Sequence, residues 1–275
     1  MPFLAYRVFG WESVEITPDW NMRDLPLGRT QAMCNTLACT SCGLLFLDMR
    51  FDPEEMSALY ADYRGDDYAA TRGRFEPGYE WRNAILNEGS RYIETVEELL
   101  APYLSSTPRV LDWGGDTGIN TPFRGRASLH HVYDISNKPP VDGAEIVDRE
   151  GILSAEYDLV VSSNVLEHVP APGDALEEIV SVMGPETVLY IEVPHEDVVR
   201  LVPCEADRIR AKRHWHEHVN FFTEPAIDAM LARAGLEQIT RVSHQVSAGG
   251  KDSHVFSVVA KRRADHQPST PTPRP

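Results

Sequence analysis

Two stretches of the chain carry residue types at spacings that chemistry can use. The first is Val110-Leu111-Asp112-Trp113-Gly114-Gly115-Asp116-Thr117-Gly118, an apolar strand pattern that runs into a glycine-rich turn. Glycine at 114, 115 and 118 lets backbone adopt positive φ and come close to a ligand, and strand ends in an open α/β sheet face the binding crevice. A tight turn with no ligand is the competing reading of these residues alone. The second stretch is His214-Trp215-His216-Glu217-His218-Val219-Asn220-Phe221-Phe222-Thr223, where three histidines alternate around an acid. Histidine titrates near neutral pH, and an adjacent carboxylate orients it and raises its basicity, so the segment suits general-base work. Metal binding by rings on one side of a strand, or a structural cluster capping the following helix, are the two other readings.

Acidic residues at strand ends extend the first site. Asp134 closes a second strand, where a carboxylate offers two acceptors to a ribose diol. Asp148 closes a third, near where an adenine amino group would lie. A phosphate loop is disfavoured because no lysine-serine or lysine-threonine pair follows the glycines. A dinucleotide G-x-G-x-x-G does not fit either, since Asp116 stands at the second glycine. Ahead of the histidines, Arg208, Arg210, Lys212 and Arg213 form a basic knot. Such a knot is commonly a solvated helix face, and it can also clamp an anionic group.

The elements that must position these residues follow from periodicity. Five short apolar runs, at 109–113, 130–135, 144–148, 158–162 and 188–193, read as successive strands, and 238–242 and 254–259 as a closing pair. Apolar residues at 176, 179, 180 and 183 have helical spacing. Thr223 caps a helix whose Ile227, Met230, Leu231 and Ala234 share a face, with Gly235 ending it. Asp52-Pro53-Glu54-Glu55 is a further helix start. The chain then divides into an N-terminal extension at 1–105, an α/β domain at 106–262, and a proline-rich polar tail at 263–275 expected to be disordered.

Composition removes several function classes. With 42 acidic against 26 basic residues the formal net charge is −16, which disfavours nucleic acid as a partner. Apolar runs such as 187–193 are too short to cross a bilayer. No secretory signal opens the chain, and four cysteines, three of them between Cys34 and Cys42, are not a disulfide framework. A cytoplasmic protein is the expectation.

Asp112 to Gly118, Asp134, and Ser163-Asn164-Val165-Leu166-Glu167-His168-Val169 resemble, in order, the cofactor motifs of class I S-adenosylmethionine-dependent methyltransferases. The last of these is similar to the "VLEHV" signature of that family, and Leu189-Tyr190-Ile191-Glu192-Val193-Pro194 to its fifth strand. The resemblance implies a Rossmann-like, seven-stranded, mostly parallel sheet with helices on both faces, its last strand antiparallel, preceded by a mainly helical or irregular extension. It implies S-adenosylmethionine as cofactor and S-adenosylhomocysteine as product. Asp112 would orient the loop and reach the cofactor's amino group; Gly114, Gly115 and Gly118 would allow close approach. Asp134 would hold the ribose, Asp148 would lie by the adenine, and Asn164 would contact the methionine moiety. Glu167 and His168 read as a helix-start acid and a packing histidine. Asp116 departs from the glycine that is usual in the family.

The histidine segment resembles the "EHxxYF(S/T)" motif of bacterial sugar C-methyltransferases and related small-molecule enzymes, in which the histidine is a proposed general base. The resemblance makes His218 the base and Glu217 its partner, with Trp215 where an aromatic residue, often tyrosine, usually stands. His216 and Arg213 join them on the substrate side. Cys39-Thr-Ser-Cys42-Gly43-Leu44-Leu45-Phe46-Leu47-Asp48 and the helix start after it look like the "CxxCGLVFLNPRP…PEELxxLY" opening of the same group, where a second cysteine pair completes a zinc knuckle. Here Cys34 is the sole addition and structural zinc takes four ligands, so a metal-free remnant is expected and no metal is assigned. Tyr68 falls where the group closes aromatics over its ligands. The expected function is methyl transfer to oxygen or carbon of a small hydroxylated acceptor, a sugar or sugar nucleotide, that can carry an anionic group. An inactive cofactor-binding protein of the same fold is the alternative. Acceptor, methylated atom, pathway and oligomeric state are not encoded in these motifs.

Overall fold

The computed structural model describes residues 2–4, 14–20, 28–30, 33–48, 50–61, 63, 65–75, 79–87, 92–136, 138–195, 204, 207, 218–248 and 251–264. Its main sheet has seven strands. They are β6 (Arg109–Trp113), β7 (Leu129–Tyr133), β8 (Glu145–Ile146), β9 (Leu159–Ser163), β10 (Val188–Pro194), β12 (Leu236–Ala248) and β13 (Lys251–Arg262), in the order β12-β13-β10-β9-β6-β7-β8. β6 pairs in parallel with β7 and β9, as β9 does with β10, while β13 runs antiparallel to both β10 and β12. The chain reverses direction across the sheet between β6–β7 and β6–β9, so the loops after β6, β7 and β9 open into one crevice.

The core strands read as unbroken apolar runs because both faces of the sheet are covered. Alternate residues go opposite ways. Leu111, Val160, Leu189 and Ile191 join Leu176, Ile179 and Val180 of α6 (Pro172–Ser181) and Ile227 and Leu231 of α7 (Glu224–Arg233) in one cluster. Val110, Leu159, Val161, Val188 and Tyr190 pack with Val96 and Leu100 of α4 (Tyr92–Leu100) in the other. The packed unit therefore begins before residue 106. Thr223 caps α7 through its side chain, and α5 (Arg149–Leu153) starts on the carboxylate of Asp148.

The extension carries helices α1 (Pro53–Tyr60), α2 (Asp66–Phe75) and α3 (Tyr79–Asn87), the first at the expected start and opened by a capping box between Asp52 and Glu55. It also carries short strands: β1 (Pro2–Leu4), β2 (Val14–Ile16), β3 (Gly28–Thr30), β4 (Met33–Ala38) and β5 (Leu45–Leu47). β2 and β3 pair with each other, while β1, β4 and β5 form a sheet completed by β11 (Asn220–Phe221). β1 to β4 pair within the extension, while β5 also takes a partner from the far end of the chain: Phe46 pairs with Asn220 and Leu45 with Phe221. That pairing fixes the segment that carries His218.

Candidate active site

The turn after β6 is held in shape by Asp134. Its two carboxylate oxygens accept from the backbone N–H of Asp116 at 2.8 Å and of Ser136 at 2.7 Å. Gly114, Asp116 and Gly118 have φ of 80°, 54° and 77°, so three of five consecutive residues sit in the left-handed region. A side chain at Gly114 would place its Cβ 2.4 Å from Val165, and one at Gly115 would run into the Asp112 carboxyl. The glycines are thus demanded by the turn's own packing as well as by any ligand.

Asp112 is 4% exposed and accepts from Thr121 Oγ1 at 2.5 Å, and Thr121 is bonded in turn to His130 Nε2 at 2.9 Å. Burial, with Asp134 and Asp116 nearby, pushes the Asp112 carboxyl up to about 7, and burial pulls His130 down to about 4. Asp112 therefore anchors the turn from beneath. Its other expected contact, with a cofactor amino group, requires a route past that inward hydrogen bond.

Asp116 is ion-paired to Lys138 at 3.2 Å, and Ser136 Oγ donates to the same carboxylate. Neither partner was foreseen, because a lysine in a loop carries no motif. Ile135, next to the ribose candidate Asp134, is a large apolar side chain left 51% exposed, which suits a flat aromatic ligand. Asp148 uses one carboxylate oxygen to cap α5 through Gly151 N–H at 2.8 Å. Asn164, at φ 55°, donates from Nδ2 to Glu192 Oε1 at 2.9 Å, and Tyr190 Oη donates to the other oxygen of Glu192 at 2.7 Å. A carboxylate acceptor, an exposed apolar neighbour and a strained turn rich in backbone N–H groups match the donors, ring and charges of S-adenosylmethionine.

A second cluster gathers at the turn after β9. Glu167 is 0% exposed, and one ligand atom each from Glu167, His168 and His218 lie within 4.8 Å of one another. The rings of His168 and His218 meet edge-to-face at 4.7 Å. Position is enforced by the strap after His218. Val219 and Asn220 donate their N–H groups to the Glu167 carbonyl, and the buried Asn220 side chain donates to the carbonyls of Leu166 and Val169. Arg50 adds a hydrogen bond to the Val219 carbonyl at 3.1 Å.

Aromatic residues of the extension continue the cluster. Tyr60 stands 6.3 Å from the His168 ring, Tyr63 lies 5.1 Å from Tyr60, Tyr68 lies 5.2 Å from Tyr63, and Tyr79 lies 5.9 Å from Tyr68. Lys138 sits over the face of Tyr63 at 5.2 Å, joining this wall to the glycine turn. Tyr68 joins, through Tyr63 and Tyr60, the ring cluster that reaches His168. Glu217, Trp215, His216, Arg213 and the rest of the basic knot lie outside the described residues. Cys39 and Cys42 are free, half-buried thiols in a tight turn where Gly43 N–H bonds back to the Cys39 carbonyl. Hydrogen bonds from the backbone of Cys42 and Ser41 lower the Cys39 pKa.

Comparison with known proteins bears on the whole arrangement. A family model described as a methyltransferase domain matches residues 83–241. No curated protein matches the chain. Among solved structures, 1,6-didemethyltoxoflavin-N1-methyltransferase of Burkholderia thailandensis, crystallised with 1,6-didemethyltoxoflavin and S-adenosylhomocysteine, is similar with a TM-score of 0.52 and 18% identity. The match covers 82% of this chain and 97% of that one. Magnesium protoporphyrin IX methyltransferase of Synechocystis PCC 6803, crystallised with S-adenosylhomocysteine, gives a TM-score of 0.50 at 14% identity, covering 77% of this chain and 100% of that one. Identities this low establish a shared fold and nothing of the acceptor. Among the described residues, no helix is long and apolar enough to cross a membrane. The family model spans more than half of the chain, and with the ordered strand-end motifs it makes the protein a member of the methyltransferase-domain family, an S-adenosylmethionine-dependent methyltransferase of class I fold.

Proposed function

We propose that this enzyme methylates an oxygen or carbon of a small hydroxylated acceptor, a sugar or sugar nucleotide, with His218 as general base. The observation that carries the reading is the placement of His218 beside the buried carboxylate of Glu167 and the ring of His168. A neighbouring carboxylate can orient an imidazole toward the proton it is to accept. Tyr60, Tyr63 and Tyr68 provide an apolar wall with hydroxyl tips, which suits the faces and edges of a pyranose ring. Arg213 and its basic neighbours would clamp an anionic portion of the acceptor, Trp215 and His216 would line the same side, and Glu217 would support His218 from its own segment.

When bound, S-adenosylmethionine supplies an electrophilic methyl on a sulfonium sulfur and departs as S-adenosylhomocysteine. The chain's own work is positioning and proton removal. Asp134 would accept from the ribose hydroxyls with the lone pairs left over from its two backbone bonds. Asp148 and Ile135 would flank the adenine, and Asn164, aimed by Glu192, would meet the methionine end. Gly114, Gly115, Gly118 and Asp112 would keep the turn in its strained form. His218 would take the acceptor's proton as the new bond forms. Cys34, Cys39 and Cys42 are read as a metal-free remnant, and the cytoplasm as the site of action. A screen of sugars and sugar nucleotides with isotopically labelled donor tests the reading. Label in a hydroxylated acceptor sustains it, and label only in acceptors lacking hydroxyls overturns it.

A further inference from the structure

We propose that Glu167, His168 and His218 form a binding site for a divalent transition-metal cation of the zinc class, and that cation and acceptor proton compete for the same His218 nitrogen. Geometry comes first. Three ligand atoms already lie within 4.8 Å of one another, and His168 Nε2 is 3.8 Å from Glu167 Oε1. Zinc bonds of about 2.0–2.2 Å place tetrahedral ligands roughly 3.3–3.5 Å apart, so small rotamer adjustments bring the set onto a cation. The ligands are also not on independently moving loops. Asn220 ties its own strand to the turn of Glu167 and His168 through two side-chain hydrogen bonds, at 3.0 and 2.8 Å. Val219 N–H adds a third tie, to the Glu167 carbonyl, at 2.8 Å.

The donor set selects the cation. Two imidazoles and one carboxylate suit zinc, cobalt, nickel or copper and ill suit magnesium or calcium, which take oxygen ligands. Three protein ligands are the number that catalytic zinc sites take, with a fourth position for water or substrate. The competition half rests on the reading of His218 as base: a lone pair committed to a metal cannot receive a proton.

The test uses the full chain freed of metal by chelation, titrated with Co²⁺ and followed by visible absorption. One equivalent is expected to bind with the d–d bands of a nitrogen–oxygen site and without a thiolate charge-transfer band, and Zn²⁺ should displace it. His168→Gln, in a partly exposed position, should weaken binding at least tenfold, and Glu167→Gln should do the same if circular dichroism shows it folded. Absence of saturable cobalt binding, thiolate bands, or binding indifferent to His168→Gln would overturn the site. Turnover suppressed by one equivalent of Zn²⁺ sustains the competition, and turnover unchanged or raised overturns it. A folded His218→Gln protein that keeps wild-type turnover removes the base reading while leaving the cobalt result standing, so the two ideas fail separately.

Discussion

The two sides of the crevice are built in opposite ways. On the proposed cofactor side, the candidate residues hang from strand ends, Asp134 held by Asp116 and Ser136, Asp112 by Thr121, and Asn164 by Glu192. On the acceptor side, the cluster is assembled from three distant segments: α1 with its following turn, the turn after β9, and the strap before β11. A side made of consecutive loops can be kept unchanged while the other is rebuilt. That is the physical basis for one fold serving many acceptors.

The largest effect that sharpens this contrast is expected on the acceptor side. His218→Gln should lower turnover by about 10²–10⁴, the usual contribution of a general base, while calorimetry with S-adenosylhomocysteine finds cofactor affinity nearly intact. A matching loss of affinity would mean that the two sides are not separable. Replacing the acid expected beside it in sequence, Glu217→Gln, should do less, because it removes orientation and leaves the base.

Next in size is a stability effect confined to the cofactor side. The folded chain keeps the Asp112 proton up to about pH 7, whereas an unfolded carboxyl releases it near 3.8. The folded state therefore binds more protons across that window, and stability falls as pH rises through it. His130 works oppositely. Its folded pKa of about 4 lies below the ordinary 6.5, so its contribution is lost as pH falls through that range and flattens the wild-type curve. Asp112→Asn removes one slope and leaves the other. The variant should be more stable than wild type at pH 8 by at most ~4 kcal/mol, at about 1.36 kcal/mol per pH unit, with the difference vanishing near pH 4. Denaturant unfolding at the two pH values measures it, and a pH-independent difference would show that Asp112 is not protonated in the native state.

Asp134→Ala comes third. It removes both acceptors offered to the ribose and releases the Asp116 and Ser136 amides, for a loss of ~1.5–3 kcal/mol in S-adenosylhomocysteine binding. Unchanged affinity would sink the assignment of that strand end.

How much of this was legible follows the same divide. Asp112, the glycines, Asp134 and Asn164 stand out as candidates because strand, turn and acid recur in a fixed order, and the seven-stranded sheet with its antiparallel last strand agrees with what the family resemblance implies. Lys138 was invisible: it earns its place only by meeting Asp116 and Tyr63 in space. Glu167 and His168 are visible as residues, but their meeting with His218 rests on Val219 and Asn220 bonding to the Glu167 turn, a long-range contact that no local pattern records. Asn220 lies within the histidine motif, and its role as a staple of the turn holding Glu167 appears only in its two hydrogen bonds.

The smallest predicted effect tests whether the two sides communicate. Lys138 touches both, ion-paired to Asp116 in the glycine turn and placed over Tyr63 in the aromatic wall. Both partners are partly exposed, so the ion pair contributes on the order of 0.2–1 kcal/mol and the cation–π contact about 0.5–1 kcal/mol. Lys138→Met keeps the apolar stem and removes the charge, and Tyr63→Leu removes the ring and keeps bulk. If Lys138 carries closure of the wall onto the cofactor, each change should weaken S-adenosylhomocysteine binding by less than about fivefold. The double variant should then fall short of the sum of the two by about 0.5 kcal/mol, the signature of groups acting through one contact. Strict additivity would leave the two sides energetically independent, each fixed only by its own part of the sheet.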